Sequence, residues 1–447
     1  MRANPRLVLV VLTALAWGGV LGGAFQFDDF PTIVRDPATV DFWALLVRLS
    51  TGIRPLLRLS YFLDHLLWGM SPAGFLLTNL LLHLATVLGI FALARRLVGD
   101  EAVAFLAAAI FALQPADAEV VAYVTGRSTG LMAAFFVWGL VRWEDGRRAS
   151  ALFLFAAACL SKEVALVFPA FLFLLELTRS PPTRLRWLPA AGGLAAVLLG
   201  VLALSPRYRA LFAYSLHLRD PLANLGPALR GAGVMISLWV RPWALAVDHG
   251  PPPESALLTL VVLAGIGVAV AVAIAVRRRE PLVTFCLAWP LLALVPTNSL
   301  IAKVDLVTEK PLYLAWAGPS ILLGMLLAGP AISWTHERST SELAERAVVR
   351  TAGGHWARWV AATALLCAWA LCVPARVRIW SDARLLWGDS VRKAPDRARA
   401  WNNLGLALWT EGEDREAARA FEESLRLDPG RSSASVPLWV IKRRLDR

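Results

Sequence analysis

A chain of 447 residues that is 57% hydrophobic and only 17% charged, with a mean hydropathy of +0.57, carries far more apolar side chain than one aqueous core can hold. A water-soluble globular enzyme is therefore excluded. Because the apolar runs do not alternate as barrel strands do, the expected fold is all-α, a polytopic bundle of membrane helices. The net charge of +12 does not point to nucleic acid, since the basic residues fall in short clusters between apolar segments rather than along one face.

At the N-terminus Arg2 and Arg6 precede Leu7–Ala16, a pattern shared by secretory signals and uncleaved first helices; the spans that follow favour an uncleaved helix. Spans are expected at 7–24, 72–94, 101–113, 128–142, 149–160, 164–178, 187–204, 256–276, 281–296, 312–330 and 356–374, eleven in all, the shorter ones tilted or partly re-entrant. With the N-terminus inside, the loops holding Arg95 and Arg96, Arg142, Arg147 and Arg148, Arg179, Arg184 and Arg186, Arg277 to Arg279, and Arg338, Arg346 and Arg350 all fall on the cytoplasmic side. The odd count then places the C-terminal tail outside. Ala228–Val247 is apolar enough to insert, but one more crossing would move Arg277–Arg279 outside, so it is expected as an outer or re-entrant hairpin. Cys159, Cys286, Cys367 and Cys372 all stand inside apolar stretches without metal-ligand spacing and read as core residues.

Beyond Pro374 the composition turns soluble and helical, which divides the chain into a membrane unit, 1–374, and a C-terminal unit, 375–447. There Ala383, Trp387, Ser390 and Pro395 recur as Ala417, Phe421, Ser424 and Pro429, a period of 34 that marks a tetratricopeptide repeat. Trp401, Leu404, Gly405, Ala417, Phe421 and Pro429 occupy the signature positions, with Leu408 and Ser424 departing from the usual Tyr and Ala. About one and a half repeats are present, fewer than a solenoid needs to stand alone, so they are expected to pack on the membrane body or on a protein partner.

Polar residues that could carry chemistry cluster on the predicted outer side. Asp28 and Asp29, flanked by Phe27 and Phe30, follow the first span; Asp117 and Glu119 follow the third; Ser161-Lys162-Glu163 breaks two apolar helices; Glu309 and Lys310 precede Tyr313. Solvated loops and helix caps account for any one of these. Carboxylates and cations recurring together on one side suit a site that binds an anion and moves protons. Asn79 and His83, four apart, share one helix face, and no second His stands at metal spacing. No Rossmann fingerprint or Walker loop is present.

The order Phe27-Asp28-Asp29, Arg54-Pro55-Leu56, Asn79 with Leu82-His83, Gln114-Pro115 with Glu119 to Tyr123, Gly126-Arg127 and Leu160-Ser161-Lys162-Glu163 resembles the transmembrane and tetratricopeptide repeat-containing O-mannosyltransferase family. Arg241-Pro242-Trp243, Val247-Asp248-His249-Gly250, Pro296-Thr297-Asn298-Ser299 and Glu309 with Leu312-Tyr313 continue the similarity in order, while Gln114 stands where that family usually has His and Lys310-Pro311 replaces Arg-Tyr or Arg-Val. The resemblance implies a GT-C glycosyltransferase fold and a donor sugar, mannose or another hexose, carried as co-substrate on a polyprenyl phosphate. It implies a hydroxyl acceptor on protein Ser or Thr, and work on the outer face of the bilayer. It implies Asp28 as base with Asp29 positioning it or the acceptor, Arg54, Arg127, Lys162 and Lys310 as candidates for the donor phosphate, and Glu119 orienting a cation or the acceptor. Glu163, Glu309, Tyr313, Asn79 and His83 are further site candidates. Some GT-C enzymes hold a divalent metal and others none; Asp28, Asp29 and Glu119 are the set that would hold one, and both cases stay open. A glycan or lipid acceptor is the nearest alternative, and a membrane scaffold or transporter with a repeat module the non-enzymatic one. Heavy use of Ala, Leu, Arg and Trp with compact loops suits a bacterial inner membrane, with the site and the repeat in the periplasm.

Overall fold

The computed structural model describes residues 4–178, 185–328 and 341–445, and among them the chain is all-helical, with no strand. Arg179, Arg184 and Arg338 of the expected cytoplasmic clusters lie outside the described residues. Six described helices are long and apolar enough to cross a bilayer: Pro5–Gly22, Pro72–Val98, Val124–Glu144, Ala256–Val276, Lys310–Ala328 and Trp356–Trp380. Two bent pairs, Glu101–Ala112 with Pro115–Val121 (52°) and Leu188–Leu204 with Pro206–Leu218 (81°), raise the number to eight if each is one span.

The difference from eleven lies in short helices. Arg148–Ser161 and Pro281–Leu294 have 14 residues each and Phe168–Leu177 has 10, where a perpendicular crossing needs about 20. The expected hairpin over 228–247 is instead the second half of one helix, Pro221–Ser237, followed by an irregular stretch.

The inner bundle is built from Pro72–Val98, Glu101–Ala112, Val124–Glu144 and Lys310–Ala328, whose helices are mostly buried and small-residue-rich where they meet. Peripheral helices are the opposite: Ala256–Val276 is 6% buried and is apolar all round, which lipid tolerates and water would not. Cys159 and Cys286 are core residues as expected, whereas Cys367 faces outward on a membrane helix.

Within the bundle the arginine-bearing ends gather on one side. Arg95 pairs with Glu101 at 3.0 Å and Arg96 with Asp145 at 2.7 Å, joining the ends of three helices. Phe75, whose carbonyl meets the polar cluster described below, stands twenty residues before Arg95 on the same helix, about 30 Å away at 1.5 Å per residue. These arginines and the carboxylate-rich loops therefore occupy opposite ends of the bundle.

The helix Ser341–Trp380 continues through the expected boundary at 374 without a break, carrying the chain from the bundle into the C-terminal helices Ala383–Lys393, Ala398–Thr410, Asp414–Leu427 and Ser432–Leu445. Ala398–Thr410 and Asp414–Leu427 form the repeat's antiparallel pair. A Cβ at Gly405 would lie 2.8 Å from the Phe421 ring, so the signature glycine is what lets that ring cross its partner helix.

Candidate functional site

Asp28 and Asp29, adjacent in sequence, have opposite fates. After the helix Pro5–Trp17 a turn carries Phe27 into positive φ (34°), aiming Asp28 outward and Asp29 inward. The Asp29 carboxylate accepts the backbone N–H of Gln26 at 2.9 Å and of Thr125 at 2.8 Å, tying its turn to the one that opens Arg127–Glu144. Burial pushes Asp29 up to about 7, against those two N–H groups, which favour the ionised form. Asp29→Asn is expected to lower stability by about 1–3 kcal/mol, since an amide oxygen can serve only one of the two buried N–H groups, measured as the shift in thermal unfolding of the detergent-solubilised protein.

Asp28 is exposed and lines a cavity of about 280 Å³ with Arg54, Arg58, Lys162 and Lys310, the walls completed by Thr32, Tyr61, Thr125 and Ser128. Its backbone N–H donates to the Tyr123 hydroxyl at 2.9 Å. One acid thus faces four cations drawn from three separate segments.

Each cation is held differently. Arg54 adopts a left-handed backbone (φ 56°) ahead of Pro55, which opens the helix Pro55–Trp68, and its guanidinium grips Glu163 through two bonds of 3.0 and 2.6 Å. Burial opposes the charge on Glu163, but Arg54 outweighs it and holds the carboxyl down at about 2. Arg58 donates to the Thr32 carbonyl at 2.7 Å and to Asp36 at 3.1 Å. Phe27 and Arg54 are the only non-glycine residues with positive φ among the described residues; Arg54 lines this cavity and Phe27 directly precedes Asp28, which does.

Lys162, in an extended corner after the helix Arg148–Ser161, donates to the Thr129 hydroxyl at 2.7 Å and forms no carboxylate ion pair among the described residues. Burial, and then the Arg54 charge, bring its ammonium down to about 7. Lys310 has its ammonium 3.4 Å from Glu119 and 4.6 Å from the centre of the Tyr123 ring. The other Glu119 oxygen accepts the backbone N–H groups of Glu309 at 2.8 Å and Lys310 at 3.0 Å. Gly126 permits this corner: a Cβ there would meet the Glu119 carbonyl oxygen at 2.2 Å.

A lysine near 7 makes anion binding pH-dependent. The ammonium attracts phosphate below its pKa and the neutral amine does not, so the benefit is present at pH 6 and fades as pH rises through 7 toward 8. Lys162→Ala is expected to weaken phosphate binding to this cavity about tenfold at pH 6, while Lys162→Arg flattens the pH profile of that affinity; titration of the detergent-solubilised protein with inorganic phosphate checks both.

Other expected site residues lie deeper. Arg127 is fully buried, pairing with Asp64 at 2.6 Å and donating to Asn79 at 2.8 Å and the Phe75 carbonyl at 2.6 Å, so it is placed behind the cavity rather than in its wall. Asn79 in turn donates to the carbonyls of Val120 and Tyr123. His83 meets the Tyr313 hydroxyl at 2.8 Å and the Ala112 carbonyl at 3.3 Å inside the bundle. Glu309 is fully buried between His249 at 3.0 Å and Arg376 at 3.4 Å. Gln114 accepts the Ala116 N–H with its side-chain oxygen. Arg58 and Tyr61, absent from the expected set, lie one turn and two turns along the helix that Arg54 caps; that spacing was their only sequence signal.

The acids do not fit a metal. Both Asp29 oxygens serve backbone N–H groups, Glu119 serves two more and Lys310, and among the described residues no group of three His, Cys, Asp or Glu side chains converges.

Residues 398–431 match the family model of the tetratricopeptide repeat. The chain is similar to "Protein O-mannosyl-transferase F38B6.6" of Caenorhabditis elegans, 29% identical over 180 residues, covering 36% of this chain and 26% of that protein. It is also similar to "Protein O-mannosyl-transferase TMTC3" of Homo sapiens, 30% identical over 181 residues, 35% of this chain and 20% of that protein. With "Protein O-mannosyl-transferase TMTC2" of Mus musculus the identity is 37% over 105 residues, 23% of this chain and 12% of that protein. The matched stretches therefore span about a quarter or less of these relatives. No solved structure matches the chain. An all-helical body with bilayer-spanning helices, a tetratricopeptide repeat and these sequence matches are thus what the chain shares with the protein O-mannosyl-transferases it is similar to.

Proposed function

We propose that this chain is a membrane glycosyltransferase of GT-C type that moves a hexose, mannose being the leading candidate, from a polyprenyl phosphate to a Ser or Thr hydroxyl of a protein. The observation that carries the reading is the single cavity in which the Asp28 carboxylate faces Arg54, Arg58, Lys162 and Lys310. One acid opposite several cations is what an inverting transfer from a phosphate leaving group requires.

In this reading Asp28 takes the acceptor hydroxyl's proton as its oxygen bonds to the sugar's anomeric carbon. The bond from that carbon to the phosphate oxygen breaks, through an oxocarbenium-like state, and the electron pair leaves with the polyprenyl phosphate. Lys162 and Lys310 stabilise the charge gathering on the phosphate, Arg58 adds to the field, and Arg54 contributes while holding Glu163. Glu119 sets Lys310, and Asp29 sets the turn that presents Asp28. The membrane unit, 1–374, would hold the reaction and the unit 375–447 would face the acceptor's side.

Opposed placement of the arginine clusters and the cavity supports a site on the extracytoplasmic face, the periplasm if the membrane is a bacterial inner one. Full-length protein in vesicles supplied with polyprenyl-phosphate mannose should glycosylate a Ser- and Thr-containing peptide. Sugar recovered only on glycan or lipid would move the acceptor class, and no turnover of the donor would end the transferase reading.

A further inference from the structure

The first helix of the C-terminal unit, Ala383–Lys393, does not keep its buried face for its own repeat. Leu386, Trp387, Asp389, Ser390 and Val391 are buried, and the face is shared: Trp387 and Val391 pack with Ala400 of the following helix and also with Val247 of the membrane body. The Trp387 ring meets Phe27 edge-on at 5.5 Å between centroids. Asp389 pairs with the buried Arg376 at 3.2 Å, and Arg376 reaches Glu309 at 3.4 Å. Lys393 donates to the Leu245 carbonyl at 2.6 Å and pairs with Asp389 at 2.7 Å. A second clamp joins Asp248 to Arg397 and Arg399, at 3.3 and 2.8 Å, and Arg399 to Asp305 at 2.9 Å.

Phe27 and Glu309 are the immediate neighbours of Asp28 and Lys310. Phe27 holds the positive φ that turns Asp28 toward the cavity, and a ring packed on its side chain is what opposes relaxation of that backbone. Glu309 is locked from three directions, by the Ala246 N–H at 2.7 Å, by His249 and by Arg376, immediately before the lysine that lines the cavity. Phe27 lies in a turn and Glu309 in a bend immediately before the helix Lys310–Ala328, so contacts on their side chains add to what holds the backbone there. The helix Ala383–Lys393 thus meets the Asp28 segment directly at Phe27 and reaches the Lys310 segment through Arg376 and Glu309.

We infer that the C-terminal helical unit is part of the transfer site: Trp387, through Phe27, positions Asp28, and Asp389, through Arg376 and Glu309, positions Lys310. The inference rests on the transferase reading above and adds that the repeat shapes the chemical step rather than only capturing acceptor protein.

Release of sugar to water from polyprenyl-phosphate mannose, with no acceptor present, separates the two roles, because water needs the base and the cations but no docking groove. In vesicles holding the full chain, Trp387→Ala is expected to lower kcat for both peptide transfer and donor hydrolysis about tenfold, as for displaced reacting groups, with the peptide KM unchanged. Trp387→Phe keeps a ring on Phe27 and should restore most of the rate. Phe27→Ala should match Trp387→Ala, and the double variant should be no slower than either, as for two residues acting through one contact. Trp387→Leu, which keeps most of the apolar volume, carries the same test if the alanine variant does not accumulate. A raised peptide KM with unchanged hydrolysis, or rates equal to the wild type in both assays, overturns the inference while leaving the transferase reading intact. An inert wild type removes both.

Discussion

Asp28→Asn is expected to abolish sugar transfer, by about 10²–10⁴-fold, the range for loss of a positioned general base. The amide is nearly isosteric and cannot take a proton from the acceptor. The side chain is exposed in the cavity wall, and the group that ties this residue to Tyr123 is the backbone N–H, which the substitution keeps. Amount and thermal stability in the membrane should therefore equal the wild type while transfer from polyprenyl-phosphate mannose disappears. Normal turnover in this variant would refute Asp28 as the base.

Arg127→Ala is expected to act through stability instead. Its guanidinium is fully buried between Asp64, Asn79, the Phe75 carbonyl and the rings of Tyr61 and Phe75, whose centroids lie 4.9 and 5.5 Å from it. Removing it strands the Asp64 carboxylate and leaves the Asn79 oxygen without a donor, a loss of about 3–5 kcal/mol for a broken buried pair. Lysine should not rescue it, because one ammonium cannot reproduce a fork of donors that serves partners on two helices. Unfolding of the solubilised protein should shift strongly downward in both variants. A stable Arg127→Ala protein with only a raised donor KM would return this arginine to the phosphate site.

The contrast between these two residues shows where sequence reasoning ended. Asp28 and Arg127 stand in motifs of the same quality, and both are charged residues beside apolar spans. What separates them is direction: Phe27's positive φ turns Asp28 out and Asp29 in, and the helix that begins at Arg127 turns that side chain into the bundle. A helix that is apolar all round offers no polar face from which such a direction could be read. Likewise Arg54 and Glu163 are 109 residues apart, and Glu119 and Lys310 are 191 apart; nothing local to either partner predicts the other.

Composition, run length and the 34-residue period by themselves determined an all-helical membrane chain ending in a tetratricopeptide repeat, because solvent preference and helical pitch are properties of short segments. Motif order alone brought out Asp28, Arg54, Lys162 and Lys310. Only the tertiary structure decided that these four share one cavity with Arg58, that Asp29 and Arg127 are turned inward, and that three expected spans are short helices. It also decided that the helix Ala383–Lys393 meets Phe27 through Trp387 and Arg376 through Asp389. These are outcomes of which buried charge finds which partner, and that pairing is settled by packing across the bundle, where an unpaired ion costs several kcal/mol, rather than by neighbours along the chain.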